Sequence, residues 1–363
     1  MVTMRKRGAE IRQFILENVE QHPGDIVLLT ARTFEISRQA VHRHLRSLLH
    51  EHALRICGTT RNRRYSLEPL VQWEQTYPLD TINAEDRVWR QDIRPLLGAL
   101  PDNVLMIWHY GFTEMLNNAM EHSSGHHVSI QVTKTAVMTE IMLYDDGEGI
   151  FTKIRRELGL EDERHAVLEL AKGKLTTDPA HHTGEGIFFA SRMFENFSIM
   201  SEHVFFTHRR EAAEDWIYGE QTYQDGTVIS MRVHNNASHT TQEVFDAFTS
   251  GEEYGFTKTV VPVRLARYGD EQLISRSQAK RLLARIDRFK VVVLDFEGVD
   301  MIGQAFADEV FRVFQNDYPH IALVPFHANS LVHRMISRAT NHEAELRAGP
   351  RPLRDLLHRP PET

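Results

Sequence analysis

The stretch FTEMLNNAMEHS, residues 112–123, decides how the middle of this 363-residue chain is interpreted. It overlaps most of a longer segment, residues 107–122, whose apolar spacing predicts one amphipathic helix. Glu114 and Asn118 are four residues apart, so a helix places both on the same face. A carboxylate and a carboxamide on one face offer the oxygen ligands that suit Mg²⁺ and its bound waters.

Two glycine-containing turns follow this helix. The residues HVSIQVTKTAVMTEIMLYDDGEGI predict two strands that end at Asp145, and Gly147 and Gly149 come directly after them. A carboxylate at a strand end can accept a hydrogen bond from the exocyclic amine of adenine, and the glycines let the backbone approach a base and ribose. A second pair, Gly184 and Gly186, opens a predicted helix, and free N–H groups at a helix N-terminus bind phosphate oxygens.

The order and spacing of these three stretches are more specific than any one of them. FTEMLNNAMEHS resembles the N box of the GHKL superfamily, which includes the ATP-binding domains of gyrase, Hsp90, histidine kinases and MutL. YDDGEGI (144–150) resembles its first glycine box, and HTGEGIFFASRMF (182–194) resembles its second. The resemblance implies an α/β sandwich, the Bergerat fold, that binds ATP and Mg²⁺.

The same resemblance implies a role for each matching residue. Asn118 would ligate Mg²⁺ and Asp145 would recognise adenine. Glu114 takes the position that activates water as a general base in hydrolysing members, or that only orders water around the metal in phosphate-transferring members. Residues 151–183 would form the ATP lid, where Lys174 either reaches the γ-phosphate or is simply solvated. The expected nucleotide-binding residues are Asn118, Asp145, Gly147, Gly149, Lys174, Thr183, Gly184 and Gly186.

The first 68 residues predict a separate unit. Helical spacing in residues 8–20 and 25–34 precedes a third helix that Ser37 can cap, and ALRICGTTRNRRYSL then predicts a basic hairpin. This is the layout of a winged helix–turn–helix, whose third helix enters the major groove of DNA. A helix–turn–helix used for protein contacts is the alternative. The predicted DNA-binding residues are Arg38, Gln39, His42, Arg43, Arg46, Arg61, Arg63 and Arg64.

Charge and composition narrow the kinds of partner that we expect this chain to bind. Residues 1–67 contain twelve lysines and arginines against six acidic residues, whereas the whole chain has a net charge of −8. A basic end on an acidic protein favours a polyanion, here double-stranded DNA, as a partner. There is no long apolar run and no secretory signal, and the single cysteine excludes an intrachain disulfide. We therefore expect a cytoplasmic protein with no membrane partner.

Residues 254–350 alternate strand and helix patterns, which predicts an α/β layer. The run VVVLDFEGVDMIGQAFADE (291–309) is similar to the STAS-like domains of anti-sigma antagonists. In those antagonists a phosphorylated serine opens the helix after the strand, but here Gly303-Gln304-Ala305 offers no hydroxyl. The serine-phosphorylation switch of those antagonists is therefore not expected here, and Ser275 is predicted to be a helix cap. We expect this domain to bind a protein partner or a second copy of the chain.

Together these patterns predict an α/β multidomain protein: a winged helix (1–68), a connector (69–99), a GHKL ATP-binding domain (100–236) and a STAS-like domain (254–350). The function expected is an ATP-binding transcriptional regulator, in which Mg-ATP binding or slow hydrolysis changes DNA binding or assembly, with a homodimer as one form. A serine/threonine kinase of the anti-sigma type and a signalling or defence ATPase are the alternatives. Whether the chain is an enzyme stays open, with ATP hydrolysis favoured over phosphotransfer.

Overall fold

The structure is a computed structural model that describes residues 2–59, 62–175, 184–210, 214–249, 256–267 and 272–347. Its helices are α1 (Val2–Asn18), α2 (Ile26–Thr33), α3 (Arg38–His50), α4 (Glu85–Val88), α5 (Arg94–Leu97), α6 (Asp102–His122), α7 (Ile150–Leu158), α8 (Glu163–Lys172), α9 (Gly186–Met193), α10 (Thr241–Phe248), α11 (Arg276–Leu283), α12 (Gln304–Asp308), α13 (Phe314–Asp317) and α14 (Ser330–Arg347). Its strands are β1 (Leu54–Cys57), β2 (Arg64–Leu67), β3 (Val71–Pro78), β4 (His127–Lys134), β5 (Met138–Asp145), β6 (Asn196–Arg209), β7 (Glu214–His234), β8 (Lys258–Pro262), β9 (Val291–Asp295) and β10 (Ala322–Phe326).

The N-terminal unit consists of α1–α3 and the antiparallel hairpin β1–β2. Apolar residues at helical spacing, such as Ile15 and Val41, form its core. Ser37 caps α3, because its Oγ accepts a hydrogen bond from the Ala40 N–H at 3.2 Å, and this confirms the predicted cap. The same core includes Val137 in the turn between β4 and β5, so the unit packs against the tip of that hairpin.

A five-stranded antiparallel sheet with the order β3-β4-β5-β7-β6 forms the centre of the molecule. Alternate residues of β5 are buried, as expected of a sheet with one covered face. Helix α6 buries Trp108, Phe112 and Leu116 in the core that this sheet shares. Strand β3 comes from the segment interpreted as a connector, and it supplies an edge of the sheet.

The C-terminal unit contains three parallel strands in the order β10-β9-β8. Helices connect the strands, since parallel neighbours need a crossover. Ser275 caps α11 as predicted: its Oγ accepts from the Gln278 N–H at 3.2 Å, and the Gln278 side chain accepts from the Ser275 N–H at 3.0 Å. The molecule is thus a mixed α/β multidomain protein.

Helix α8 joins the central sheet to the C-terminal unit. Lys172 is only 1% exposed, and its Nζ donates hydrogen bonds to Glu169 Oε1 at 2.7 Å and to the carbonyls of Ala284 at 2.8 Å and Arg281 at 3.0 Å. The Lys172 carbonyl accepts from Thr259 Oγ1 at 2.6 Å. Burial lowers the pKa of the Lys172 ammonium, while Glu169 opposes that shift. A buried charge is tolerated only when it is fully hydrogen-bonded, so these contacts specify how α8 docks.

Among the described residues, we find no helix with the length and apolar character needed to cross a bilayer.

Candidate functional site

A cavity of about 330 Å³ lies between α6, the end of β5, the part of β7 around Thr227 and Ile229, and helices α7, α8 and α9. This volume is at the lower end of the roughly 300–1,000 Å³ typical of small-molecule sites. One part of the wall is apolar, and the rest combines acidic, amide and basic groups. The residues that define the cavity here are Glu114, Asn117, Asn118, Glu121, His122, Leu143, Asp145, Lys153, Leu170, Leu175, Gly184, Glu185, Gly186, Thr227 and Ile229.

Asp145 is the last residue of β5 and is 7% exposed. Its Oδ1 accepts from the Gly147 N–H at 3.0 Å, and Thr227 on β7 lies directly opposite and also hydrogen-bonds the carboxylate. Burial raises the pKa of Asp145 to about 6, because desolvation outweighs these hydrogen bonds. The carboxylate therefore has free acceptor capacity at the edge of an apolar slot formed by Leu143 and Ile229.

Asp146 has a different environment although it is the next residue. It is exposed, and its carboxylate accepts from the N–H groups of His126 at 2.6 Å and His127 at 2.8 Å. Desolvation raises its pKa, but the hydrogen bonds from His127 and His126 together outweigh that effect and lower the pKa of Asp146 to about 2. Asp146 thus holds the turn together, and Asp145 is the residue that faces the cavity.

The first predicted glycine pair shapes this turn and does not line the cavity. A Cβ on Gly147 would come 2.1 Å from the Ser123 carbonyl oxygen, so only glycine allows the turn to pack against the end of α6. Gly149 adopts φ +86° at the start of α7. The prediction correctly located the turn, and the structure assigns the two glycines to its packing.

The second glycine pair brings the start of α9 against α6. A Cβ on Gly186 would come 2.0 Å from Glu114 Oε2, so the Glu114 carboxylate lies against the first residue of α9. Glu185 is half-buried beside it, and burial raises the pKa of Glu185. Burial, followed by the charges of Glu114 and Glu185, also raises the pKa of Tyr110. This end of the cavity is therefore electronegative and favours a cation.

Asn118 lies one helical turn beyond Glu114 and also lines the cavity. Its Nδ2 is buried and has no hydrogen-bond partner within the described part of the chain. Buried polar atoms are nearly always paired, so this amide is poised for a group that enters the cavity. Rotation of the amide exchanges Oδ1 and Nδ2, and the same position can then offer a metal-ligating oxygen.

Lys153 is a cavity residue that the sequence reasoning missed. It is the only lysine or arginine among the described residues of the wall, and its side chain is 16% exposed. Its Nζ donates to the His122 carbonyl at 2.8 Å and lies 4.0 Å from Glu157. Its position, four residues after Gly149, was the signal available in the sequence.

Lys174, the lysine predicted to reach phosphate, faces the C-terminal unit. Its Nζ donates to the Arg288 carbonyl at 3.2 Å and lies 4.9 Å from the centre of the Phe289 ring. Burial lowers the pKa of Lys174, while the charge of Glu185 opposes the shift.

The structure thus brings together Glu114, Asn118, Asp145, Gly184 and Gly186, and it places Lys174 outside the cavity wall. Thr183 lies outside the described residues.

The residues predicted to bind DNA form an exposed group on α3 and the hairpin. Arg38, Gln39, His42, Arg43 and Arg46 are all exposed, and Val41, Leu45 and Leu48 on the opposite face of α3 are buried. Arg63 and Arg64 are exposed at the start of β2, and Arg61 lies outside the described residues.

Comparison with known proteins bears on the C-terminal unit. Residues 278–333 match the family model described as STAS-like domain of unknown function (DUF4325). The C-terminal unit is a STAS-like domain. This confirms the predicted likeness for the part of the chain that contains α11, β9, β10 and the start of α14. Among curated proteins, none matches the chain.

Proposed function

We propose that this chain is a Mg-ATP-binding regulator that contacts double-stranded DNA. The observation that carries the proposal is the arrangement of Asp145 and of Glu114 with Asn118 around one cavity. Asp145 follows Asn118 by 27 positions in the sequence, and the three residues belong to the stretches that resemble the N box and the first glycine box. The start of α9, which belongs to the second glycine box, completes the same cavity wall.

The chemistry of the wall fits a nucleotide. The base would lie in the apolar slot with its exocyclic amine donating to Asp145, and Asn118 would hold Mg²⁺ at the electronegative end. Lys153 and the N–H groups at the start of α9 would receive the phosphates. Bound Mg²⁺ would neutralise charge on the phosphate oxygens. Glu114 lies beside both Asn118 and Gly186, and this position supports a role in activating or ordering water.

DNA binding is supported by the exposed basic face of the N-terminal unit. In the described part of the chain, none of Arg38, Arg43, Arg46, Arg63 and Arg64 forms an ion pair. A helix with one buried apolar face and one unpaired basic face, next to a basic hairpin, is the arrangement by which a winged helix–turn–helix contacts DNA. Contact between the N-terminal core and Val137 provides a physical route from the nucleotide-binding sheet to this unit.

Incubation with γ-labelled ATP and Mg²⁺ tests the nucleotide part of the proposal. We expect binding and slow release of labelled phosphate. Glu114→Gln should keep ATP binding and lower phosphate release by roughly 100-fold, as expected when a general base is removed. Label that remains on the protein would favour the kinase alternative. Failure of the wild-type chain to bind ATP in calorimetry would refute the proposal.

A salt titration with duplex DNA tests the DNA part. Replacing Arg43 and Arg46 together with alanine should weaken binding and reduce the slope of log K against log salt by about 1.8, because two phosphate contacts are lost. Arg334 and Arg338, which are exposed on α14, provide the matched double-alanine control. An unchanged slope in the Arg43/Arg46 variant would assign the basic face to a partner other than DNA.

A further inference from the structure

Three side chains that the proposed function does not use meet at one edge of the STAS-like domain. Asp295 ends β9, and Glu297 follows two residues later. His327 comes directly after β10. Strands β9 and β10 are parallel neighbours with Asp295 opposite Phe326, so their carboxyl ends lie together. This pairing brings His327 to the two acids although it is about thirty residues away in the sequence.

The spacing of the three groups is that of metal ligands. His327 Nδ1 lies 3.0 Å from Asp295 Oδ1 and 3.8 Å from Glu297 Oε2. One ligand atom from each residue falls within 4.8 Å of the other two. Ligands about 2.0–2.1 Å from a tetrahedral ion are separated from one another by about 3.3 Å. The two separations to His327 Nδ1 lie on either side of that value, and the third is within 4.8 Å, so side-chain shifts can bring the three ligands around one ion.

One oxygen of the cluster lacks a donor. Glu297 Oε2 is buried and accepts no hydrogen bond from any described residue, although the side chain as a whole is 36% exposed. His327 Nδ1 lies 3.8 Å from this oxygen but already pairs with Asp295 Oδ1, and a ring nitrogen carries a single proton. That proton serves one carboxylate and leaves the other unsatisfied. A cation between the three atoms would contact all of them at once.

We propose that Asp295, Glu297 and His327 bind a divalent transition-metal ion of the zinc type. An imidazole ligand selects zinc, iron, nickel or copper over Mg²⁺ and Ca²⁺, which take oxygen ligands. Two carboxylates supply the charge that balances the ion. Three protein ligands leave a fourth position for water or for a group on a partner. The His327 ring, 41% exposed, gives the ion access from solvent. Binding releases any proton held on Nδ1.

Calorimetric titration of the chelator-treated full-length chain with ZnCl₂ tests this site. We expect one tight site in the wild-type chain. Glu297→Gln keeps the shape of the side chain, and His327→Asn suits a backbone with φ +49°. Each should weaken that site by more than about 100-fold, since even outer-shell changes cost about 10–100-fold. His333→Gln, an exposed histidine on α14, is the matched control and should bind as the wild type does.

Melting curves with and without zinc complete the test. Zinc should raise the melting temperature of the wild-type chain and of His333→Gln, and should leave that of Glu297→Gln unchanged. The metal-free curve of Glu297→Gln shows whether this variant is folded. If His327→Asn does not fold, Glu297→Gln alone still tests the proposal. Equal zinc affinity in the wild type and Glu297→Gln would overturn the proposal. So would the absence of a tight site in the wild type, or displacement of zinc by equimolar Mg²⁺.

Discussion

Asp145 and Asp295 occupy the same local structure in two different sheets. Each is the last residue of a strand, and each is 7% exposed. Each accepts a hydrogen bond at 3.0 Å from the backbone N–H two residues later, Gly147 in one case and Glu297 in the other. Local sequence therefore produces the same buried carboxylate turn twice.

The two carboxylates differ in what the rest of the fold brings to them. Asp145 meets Thr227 from the antiparallel neighbour β7 and faces a cavity. Asp295 meets His327 from the end of the parallel neighbour β10. In the first environment burial raises the pKa of Asp145 to about 6. The comparison shows that the direction of the neighbouring strand decides which residues lie beside the buried carboxylate. The neighbouring strand therefore sets the chemistry of a turn that both sheets contain.

The largest expected effect is on ligand binding, because we expect the two turns to bind different ligands. Asp145→Ala should abolish Mg-ATP binding, because it removes the buried carboxylate that we propose accepts the adenine amine. It should leave zinc binding unchanged. Glu297→Gln should weaken zinc binding and leave Mg-ATP binding unchanged. Glu140→Gln, on the opposite face of β5, is the control for Asp145→Ala. Calorimetry with both ligands measures all four proteins. Retained ATP binding in Asp145→Ala would remove Asp145 from the nucleotide site.

A pH series should show the cost of burying Asp145. Its folded pKa of about 6 lies above the ordinary value of 3.8, so the folded chain holds a proton that the unfolded chain releases first. Its stabilising contribution is complete below pH 3.8 and is lost as the pH rises through 6. The shift corresponds to about 3 kcal/mol in the free energy of unfolding.

Asp145→Asn removes this titration and keeps an oxygen that can accept from the Gly147 N–H. Relative to the wild type, the variant should gain stability as the pH is raised from 5 to 7.5, measured by denaturant unfolding at each pH. A stability difference between the two proteins that does not change over this range would show that the carboxylate is solvated in the folded chain.

The smallest expected effect is on stability, and it concerns one glycine in each of the two turns. Gly147→Ala would place a methyl group 2.1 Å from the Ser123 carbonyl, and we expect a loss of about 2–3 kcal/mol. Gly298, with φ +69°, has no atom closer than 3.8 Å to the added carbon, so Gly298→Ala should cost only about 1 kcal/mol of backbone strain. Thermal unfolding of both variants measures the difference. Equal losses would mean that the Ser123 carbonyl moves aside freely.

Much of the site was predictable because it depends on short-range spacing. Glu114 and Asn118 share a helical face, Asp145 ends a strand, and the glycine pair opens α9, as the local patterns indicated. Lys153 and Lys174 show where this reasoning stops. Both lie near glycine turns in the sequence, but the direction of each side chain depends on which helix packs over it.

The sequence by itself determined helix α6, the strand that ends at Asp145, the two helix caps at Ser37 and Ser275, and the STAS-like character of residues 278–333. These follow from periodicity and from contacts within a few residues. Only the tertiary structure decided that Lys172 is buried against the C-terminal unit and that His327 reaches Asp295. The physical reason is that such contacts join residues far apart in the chain, and only the packing and direction of the strands and helices between them bring them together.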